Sequence, residues 1–100
     1  MIYDEDIISA ISSRKKIKIN YKKRGDRIIC PHVLYISAAG KKTIDAYQTS
    51  GYSEIDKLPQ WKSFSVSEIN ELSILNETFD IAPRYNPSNR EKYVTIIARI

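Results

Sequence analysis

The sequence predicts a mainly β domain with flanking helices, an α+β arrangement in which five short antiparallel strands curl into a small barrel. Three observations point there. Apolar and polar residues alternate strictly from Lys16 to Lys22, the pattern of a half-buried strand. Turn-forming clusters at Lys23–Asp26, Ser37–Gly40 and Gln48–Gly51 cut the chain into short segments. Helical spacing of apolar residues occurs only near the two ends. Five short antiparallel strands bury themselves most easily by closing on themselves, which also removes exposed edges. One hundred residues make a single domain, 1–100, with one core.

The elements follow in order. Ile7, Ile8 and Ile11, with Ala10 between, define one face of a helix over Asp4–Ser13, with Asp4 as N-cap and acids in its first turn. Ile17, Ile19 and Tyr21 form the buried side of the first strand. A second strand runs from Arg27 to Ile36. Pro31 interrupts it, and because proline lacks the ladder N–H it marks an edge position or a bulge. The third strand holds Thr43–Tyr47 and the fourth Trp61–Val66. Ser-Glu-Ile-Asn from Ser67 suits a single helical turn, leading into a fifth strand near Leu72–Leu75, with Phe79 as an anchor beyond it. Ile69, Leu72, Ile74 and Leu75 are expected in the core. Arg84–Asn89 reads as a loop. Asn86 as cap, Pro87 at the first helical position, and Tyr93, Ile96, Ile97 and Ile100 at i, i+3, i+4 and i+7 favour a C-terminal helix. The β-branched run Val94–Ile97 leaves a strand as the other reading.

Composition narrows the function classes. A single Cys and a single His exclude an intrachain disulfide and argue against a zinc site built from this chain, so no metal and no cofactor is expected. No apolar run approaches the ~20 residues of a membrane span, and the acidic start lacks a signal-peptide pattern. The expectation is a cytoplasmic protein without membrane contact. The net charge is +4, and half of all Lys and Arg lie between Arg14 and Arg27. Such a segment suits phosphate contacts, and equally suits a solvated hairpin whose Lys residues guard an edge.

No phosphate-binding Gly loop, dinucleotide fingerprint or paired-His helix is present. Cys30 and His32 stand two apart on a strand, with Asp45 on the next as an orienter, the only arrangement resembling a nucleophile and base. A buried Cys and a hydrogen-bonded wall His explain the same residues without chemistry. No catalytic residue is therefore expected. The richer stretch is Ala46–Phe64, where aromatics, amides, hydroxyls and Lys62 gather around Gly51. Tyr47 and Trp61 offer stacking faces, Arg27 and Lys62 offer positive charge, and His32 and Gln48 offer hydrogen bonds. Stacking surfaces beside cations are how small barrels hold single-stranded nucleic acid, and a closed version would hold a nucleotide. The plainer reading is a hairpin loop whose Trp and Phe plug the core.

Taken together, KIKINYKKRGDR (16–27), PHVLYI (31–36), KTIDAYQTSGYS (42–53) and WKSFSVSEINEL (61–72) resemble the WYL domain family, in the family's order and up to about Phe79. The pieces PHVL, AYQTSGYS and PQWKSF resemble its short, stand-alone members in particular. The resemblance implies an Sm-like, SH3-type barrel that senses a ligand, often a nucleotide or nucleic acid, in bacterial regulators of transcription or of phage defence. Lys62 matches a basic position of the family and Tyr47 an aromatic one. The naming triplet aligns with Lys42, Thr43 and Ile44, and Glu68 stands where the family often has Arg. No winged helix is expected within these residues. The expected function is a non-enzymatic, WYL-like domain that binds an anionic ligand, a nucleotide or single-stranded nucleic acid, through Lys62, Arg27, Tyr47, Trp61, His32 and Gln48. The rival is a protein-interaction module that forms a homodimer or docks on a larger partner through the Tyr52–Pro59 loop.

Overall fold

The computed structural model describes residues 3–53 and 57–100. The elements are α1 (Asp4–Ser13), β1 (Lys15–Tyr21), β2 (Asp26–Ile36), β3 (Lys42–Gly51), β4 (Gln60–Ser65), a 3-10 turn (Val66–Glu68), β5 (Ile69–Thr78) and β6 (Thr95–Arg99). They build one antiparallel sheet in the order β4-β3-β2-β1-β5, with β6 added alongside β2.

The sheet is not closed into a barrel, which corrects the sequence expectation. Among the described residues, β4 pairs only with β3, and β5 only with β1. The gap between them is bridged by side chains: the Ser65 N–H donates to Tyr21 Oη at 2.9 Å, and the Tyr21 and Phe64 rings meet edge-on at 5.0 Å. Closure is not needed because α1 supplies the missing cover. Ile7, Ala10 and Ile11 of α1 pack into one core with Ile17, Ile19, Ile29, Leu34, Ile44 and Phe64 from one face of the sheet. Each fully buried large apolar side chain there contributes ~1.5–3 kcal/mol.

Helix α1 has the predicted bounds, but its cap differs. Tyr3 occupies the N-cap without a side-chain capping bond, its hydroxyl donating instead to Asn70 O, whereas Asp4 begins the helix and pairs with Lys42 of β3. Ile8 is exposed, so the buried stripe is Ile7, Ala10 and Ile11. The β1–β2 hairpin turns at Lys22 and Lys23, both in the left-handed region, with the Arg24 N–H bonded to Tyr21 O. That is one residue earlier than the Lys23–Asp26 turn expected.

Strand β2 is buried on both sides from Ile29 to Tyr35. Its first half pairs with β1 up to Ile29, and its second half with β6 from Val33. Pro31 lies in the interval between the two ladders, at a bulge against β3, where its missing N–H disrupts neither. β3 extends through the polar cluster to Gly51, and β5 spans Ile69–Thr78, ten residues instead of four. In β5 only Ile69 is fully buried, Leu72 and Leu75 are partly so, and Ile74 is exposed.

The C-terminal helix is a strand. Val94–Ile97 is β-branched, and the second half of β2 offers an unpaired flank, so a ladder gains what a solvent-exposed helix would not. The helical face read from the sequence is not the buried one. Of its members, Ile96 and Ile97 are exposed and only Ile100 packs against the core, beside Ala98, which the stripe left out.

The chain from Phe79 to Val94 contains no helix or strand and covers the other face of the sheet. The Trp61 indole N–H donates to Pro83 O at 2.7 Å, and the Phe79 N–H to Arg14 O at 3.0 Å. The sheet is thus a single layer with α1 on its inner face and this segment on its outer face. No helix among the described residues is long and apolar enough to cross a membrane.

Candidate functional site

The sheet register divides the six sequence-predicted site residues between its two faces. Arg27 lies opposite Ile19, Gln48 opposite Ile29, and Lys62 opposite Ala46, all on the inner, core-facing side. Tyr47 pairs with Trp61 on the outer side, and the His32 ring meets Trp61 edge-on at 4.8 Å. Neighbours on a strand point to opposite faces, so the side chains of Tyr47 and Gln48, or of Trp61 and Lys62, leave the sheet in opposite directions. The single six-residue site is replaced by two separate groups.

On the inner face, Arg27 is only 7% exposed. Its guanidinium lies over three rings, those of Tyr21, Tyr52 and Phe64, at 5.2, 5.3 and 5.5 Å. Such stacking stabilises a desolvated cation. The guanidinium forms no hydrogen bond or ion pair with the described residues, and its Nε is buried without a partner. Gln48, fully buried, donates from Nε2 to Tyr52 O at 2.8 Å and to Ser50 O at 3.2 Å, while its Oε1 has no partner. Lys62 Nζ donates to Ser53 Oγ at 2.8 Å. All three side chains therefore converge on Tyr52 and Ser53, just beyond the end of β3. Gly51 makes this possible. It sits at φ +98, and a Cβ there would stand 2.3 Å from Asp26 O, so only glycine lets β3 close on β2 beside Arg27.

On the outer face, His32 is fully buried and both ring nitrogens are used. Nδ1 lies 2.7 Å from Cys30 O, and the Ala82 N–H donates to Nε2 at 3.0 Å. A carbonyl only accepts and an N–H only donates, so the ring is neutral with its proton on Nδ1. Burial pulls its pKa below the ordinary value. Burial also pushes the Cys30 thiol up to about 11, away from the thiolate that a nucleophile needs. The thiol–imidazole reading therefore finds no geometry to carry it.

The residue that organises this face is Asp45, 3% exposed. Its Oδ1 accepts from Tyr35 Oη at 2.8 Å and Ser63 Oγ at 2.7 Å, and its Oδ2 from Tyr93 Oη and Lys92 Nζ, both at 2.7 Å. Burial and the adjoining carboxylate raise the pKa values of both Tyr35 and Tyr93, which remain donors. Beside this network lies a cavity of about 290 Å³, floored by β3 and β4 and walled by residues of the 84–93 segment. From sequence, Asp45 is expected only as an orienter, and Arg84, Tyr85, Asn86, Asn89 and Lys92 fall in a loop or helix. The available signal was an acid in the strand Thr43–Tyr47 between Ile44 and Ala46, since a buried carboxylate requires donors from elsewhere.

The Tyr52–Pro59 loop, expected as a partner contact, lies partly outside the described residues at 54–56. No known protein-family model, no curated protein and no solved structure matches the chain.

Proposed function

We propose that this protein is a non-enzymatic, WYL-like sensing domain that binds an anionic ligand, a nucleotide or single-stranded nucleic acid, at the Arg27–Gln48–Lys62 end of its inner face. One observation carries the reading: Arg27 is a nearly buried cation, held by three aromatic rings, that meets no carboxylate among the described residues. A desolvated charge is costly without a counter-charge, and an incoming phosphate would provide one through paired N–H donors. Gln48 Oε1 is an acceptor awaiting a donor from the same ligand. Tyr52, 39% exposed, offers the stacking face in place of Tyr47 and Trp61. His32, with both nitrogens engaged, takes no part.

The order of the first five strands, with a 3-10 turn between the fourth and fifth, supports an Sm-like, SH3-type ancestry with the sheet left open. A role in regulating transcription or phage defence follows from the family resemblance.

The test is an anisotropy titration of labelled single-stranded DNA, RNA and nucleotides at low and moderate salt. Wild-type protein is expected to bind, with affinity falling as salt rises. Arg27→Gln with Lys62→Ala, checked for folding by circular dichroism, is expected to weaken binding at least about tenfold. The logarithmic salt dependence should become shallower by ~1 for each phosphate that is no longer neutralised. Unchanged affinity in the folded double variant rejects the site.

A second reading, an interaction or dimerisation module, draws on the exposed Ile81, Val94, Ile96 and Ile97 around β6. Concentration-dependent mass in light scattering, without any ligand response, favours it over the first.

A further inference from the structure

We infer that the outer-face cavity is a second binding site, for a small planar molecule carrying an anionic group. At about 290 Å³ it stands at the lower end of the ~300–1,000 Å³ range of ligand pockets, so it suits a single ring system with one charged substituent.

The chemistry follows from counting which polar groups remain unspent. Asp45 is the one carboxylate of the lining, and both its oxygens already accept two donors each. It has little left to offer a cationic ligand. Asn86 Oδ1 accepts the Ser88 N–H at 3.1 Å, and Asn89 Oδ1 accepts the Lys92 N–H at 3.2 Å. Each asparagine therefore keeps its amide NH₂ for other use, and that group only donates. Arg84 forms no hydrogen bond or ion pair with the described residues, and its guanidinium also only donates. The hydroxyls of Ser63, Tyr85 and Tyr93 spend their hydrogens on Asp45 and Ile100 O and can still accept, but the charged and amide side chains left over only donate, with excess positive charge, which selects an anion. The shape comes from Trp61 and Tyr85, nearly parallel at 18° with centroids 6.2 Å apart, which form an aromatic wall. Against such a wall a flat ring gains stacking free energy.

Arg27 and Gln48 lie on the opposite face of the sheet and do not line this site; Lys62, whose Nζ reaches Ser53, lines it as well. Adenosine 5′-monophosphate is a suitable probe, with adenosine and inorganic phosphate as its two halves. Trp61 is the only tryptophan, so intrinsic fluorescence reports on the cavity directly. The Asn86 and Asn89 side-chain amides report on it by NMR. The nucleotide is expected to quench Trp61 and shift both amides, with adenosine and phosphate each binding at least about tenfold more weakly. Asn86→Asp with Asn89→Asp keeps the Oδ1 acceptors that shape the loop but replaces donors with negative charge. That double variant, folded by circular dichroism, is expected to lose affinity at least about tenfold. Arg27→Gln is expected to leave binding at the cavity unchanged. Millimolar nucleotide that moves neither amide, adenosine or phosphate that binds as well as the nucleotide, or full affinity in the Asp double variant would each overturn the inference. Shifts confined to Tyr52 and Gln48 would overturn it while supporting the Arg27 site. Shifts confined to the cavity would do the reverse.

Discussion

At the scale of single residues, His32 shows why side-chain identity underdetermines role. A His two residues from a Cys reads as a base beside a thiol. The backbone decides otherwise, because Cys30 O and the Ala82 N–H occupy both ring nitrogens. Neither partner is visible in a pattern of side chains, and Ala82 is fifty positions away. A pH dependence follows. The folded-state pKa is lowered by burial from its ordinary 6.5. Between the folded and unfolded values the unfolded chain binds the extra proton, so stability falls as pH drops below about 6.5 and levels off only when the folded imidazole itself protonates. Protonation would set two donors, Nε2–H and the Ala82 N–H, against each other and loosen the outer segment. His32 is the sole histidine, so one NMR titration of its ring carbons reads the value without ambiguity. A native pKa at or above 6.5 would contradict this account. The stability difference between wild type and His32→Asn is expected to shrink on acidification.

At the scale of elements, the strands were legible because alternation is a strong signal, and their ends were not. β3 runs through Gln48–Gly51, which the sequence presents as a turn cluster, because Gly51 permits a backbone approach that no other residue allows. The C-terminal segment was misread for the converse reason. Tyr93, Ile96, Ile97 and Ile100 match a helical stripe, yet the flank of β2 from Val33 to Ile36 was waiting for a partner. Only the tertiary arrangement reveals that vacancy. Two glycines test the first point. Gly40 has φ +77 and open space around its missing Cβ, whereas Gly51 has φ +98 and backbone atoms at 2.3 and 2.7 Å. Gly40→Ala is expected to cost ~1–2 kcal/mol, the conformational penalty alone. Gly51→Ala is expected to cost more than about 3 kcal/mol, since the clash adds to that penalty and falls on main chain. It should also displace Arg27 and weaken anion binding. Equal effects in urea denaturation would show that the β2–β3 contact yields more easily than its geometry suggests.

At the scale of the whole molecule, the sheet is a partition. The candidate site was legible by residue type, since aromatics and cations do gather around β2, β3 and β4, but not by face. Trp61 and Lys62 adjoin in sequence and therefore diverge in space, and Gln48 joined the inner group only because β3 is longer than its pattern announced. The partition makes the two faces separable in energy. Asp45 is the outer face's fastening: from β3 it holds Tyr35 of β2, Ser63 of β4, and Lys92 and Tyr93 of the covering segment. Asp45→Ala would leave these donors facing an empty space in a buried setting. A cost of about 3 kcal/mol is expected, the usual scale for breaking a buried, paired charge. Asp45→Asn, which can still accept on Oδ1, should cost less. The loss should appear first in the covering segment, as faster amide exchange at Ala82 and Tyr93, whose N–H groups bond to His32 Nε2 and Asn89 O. The ladder of β1 and β2 and binding at Arg27 should change little, because α1 and the inner core share no polar group with Asp45. If Asp45→Ala instead abolished inner-face binding while exchange at Ala82 held steady, the sheet would be transmitting strain between its faces. The segment would then be held by its aromatic contacts to Trp61 and His32 and not by the carboxylate.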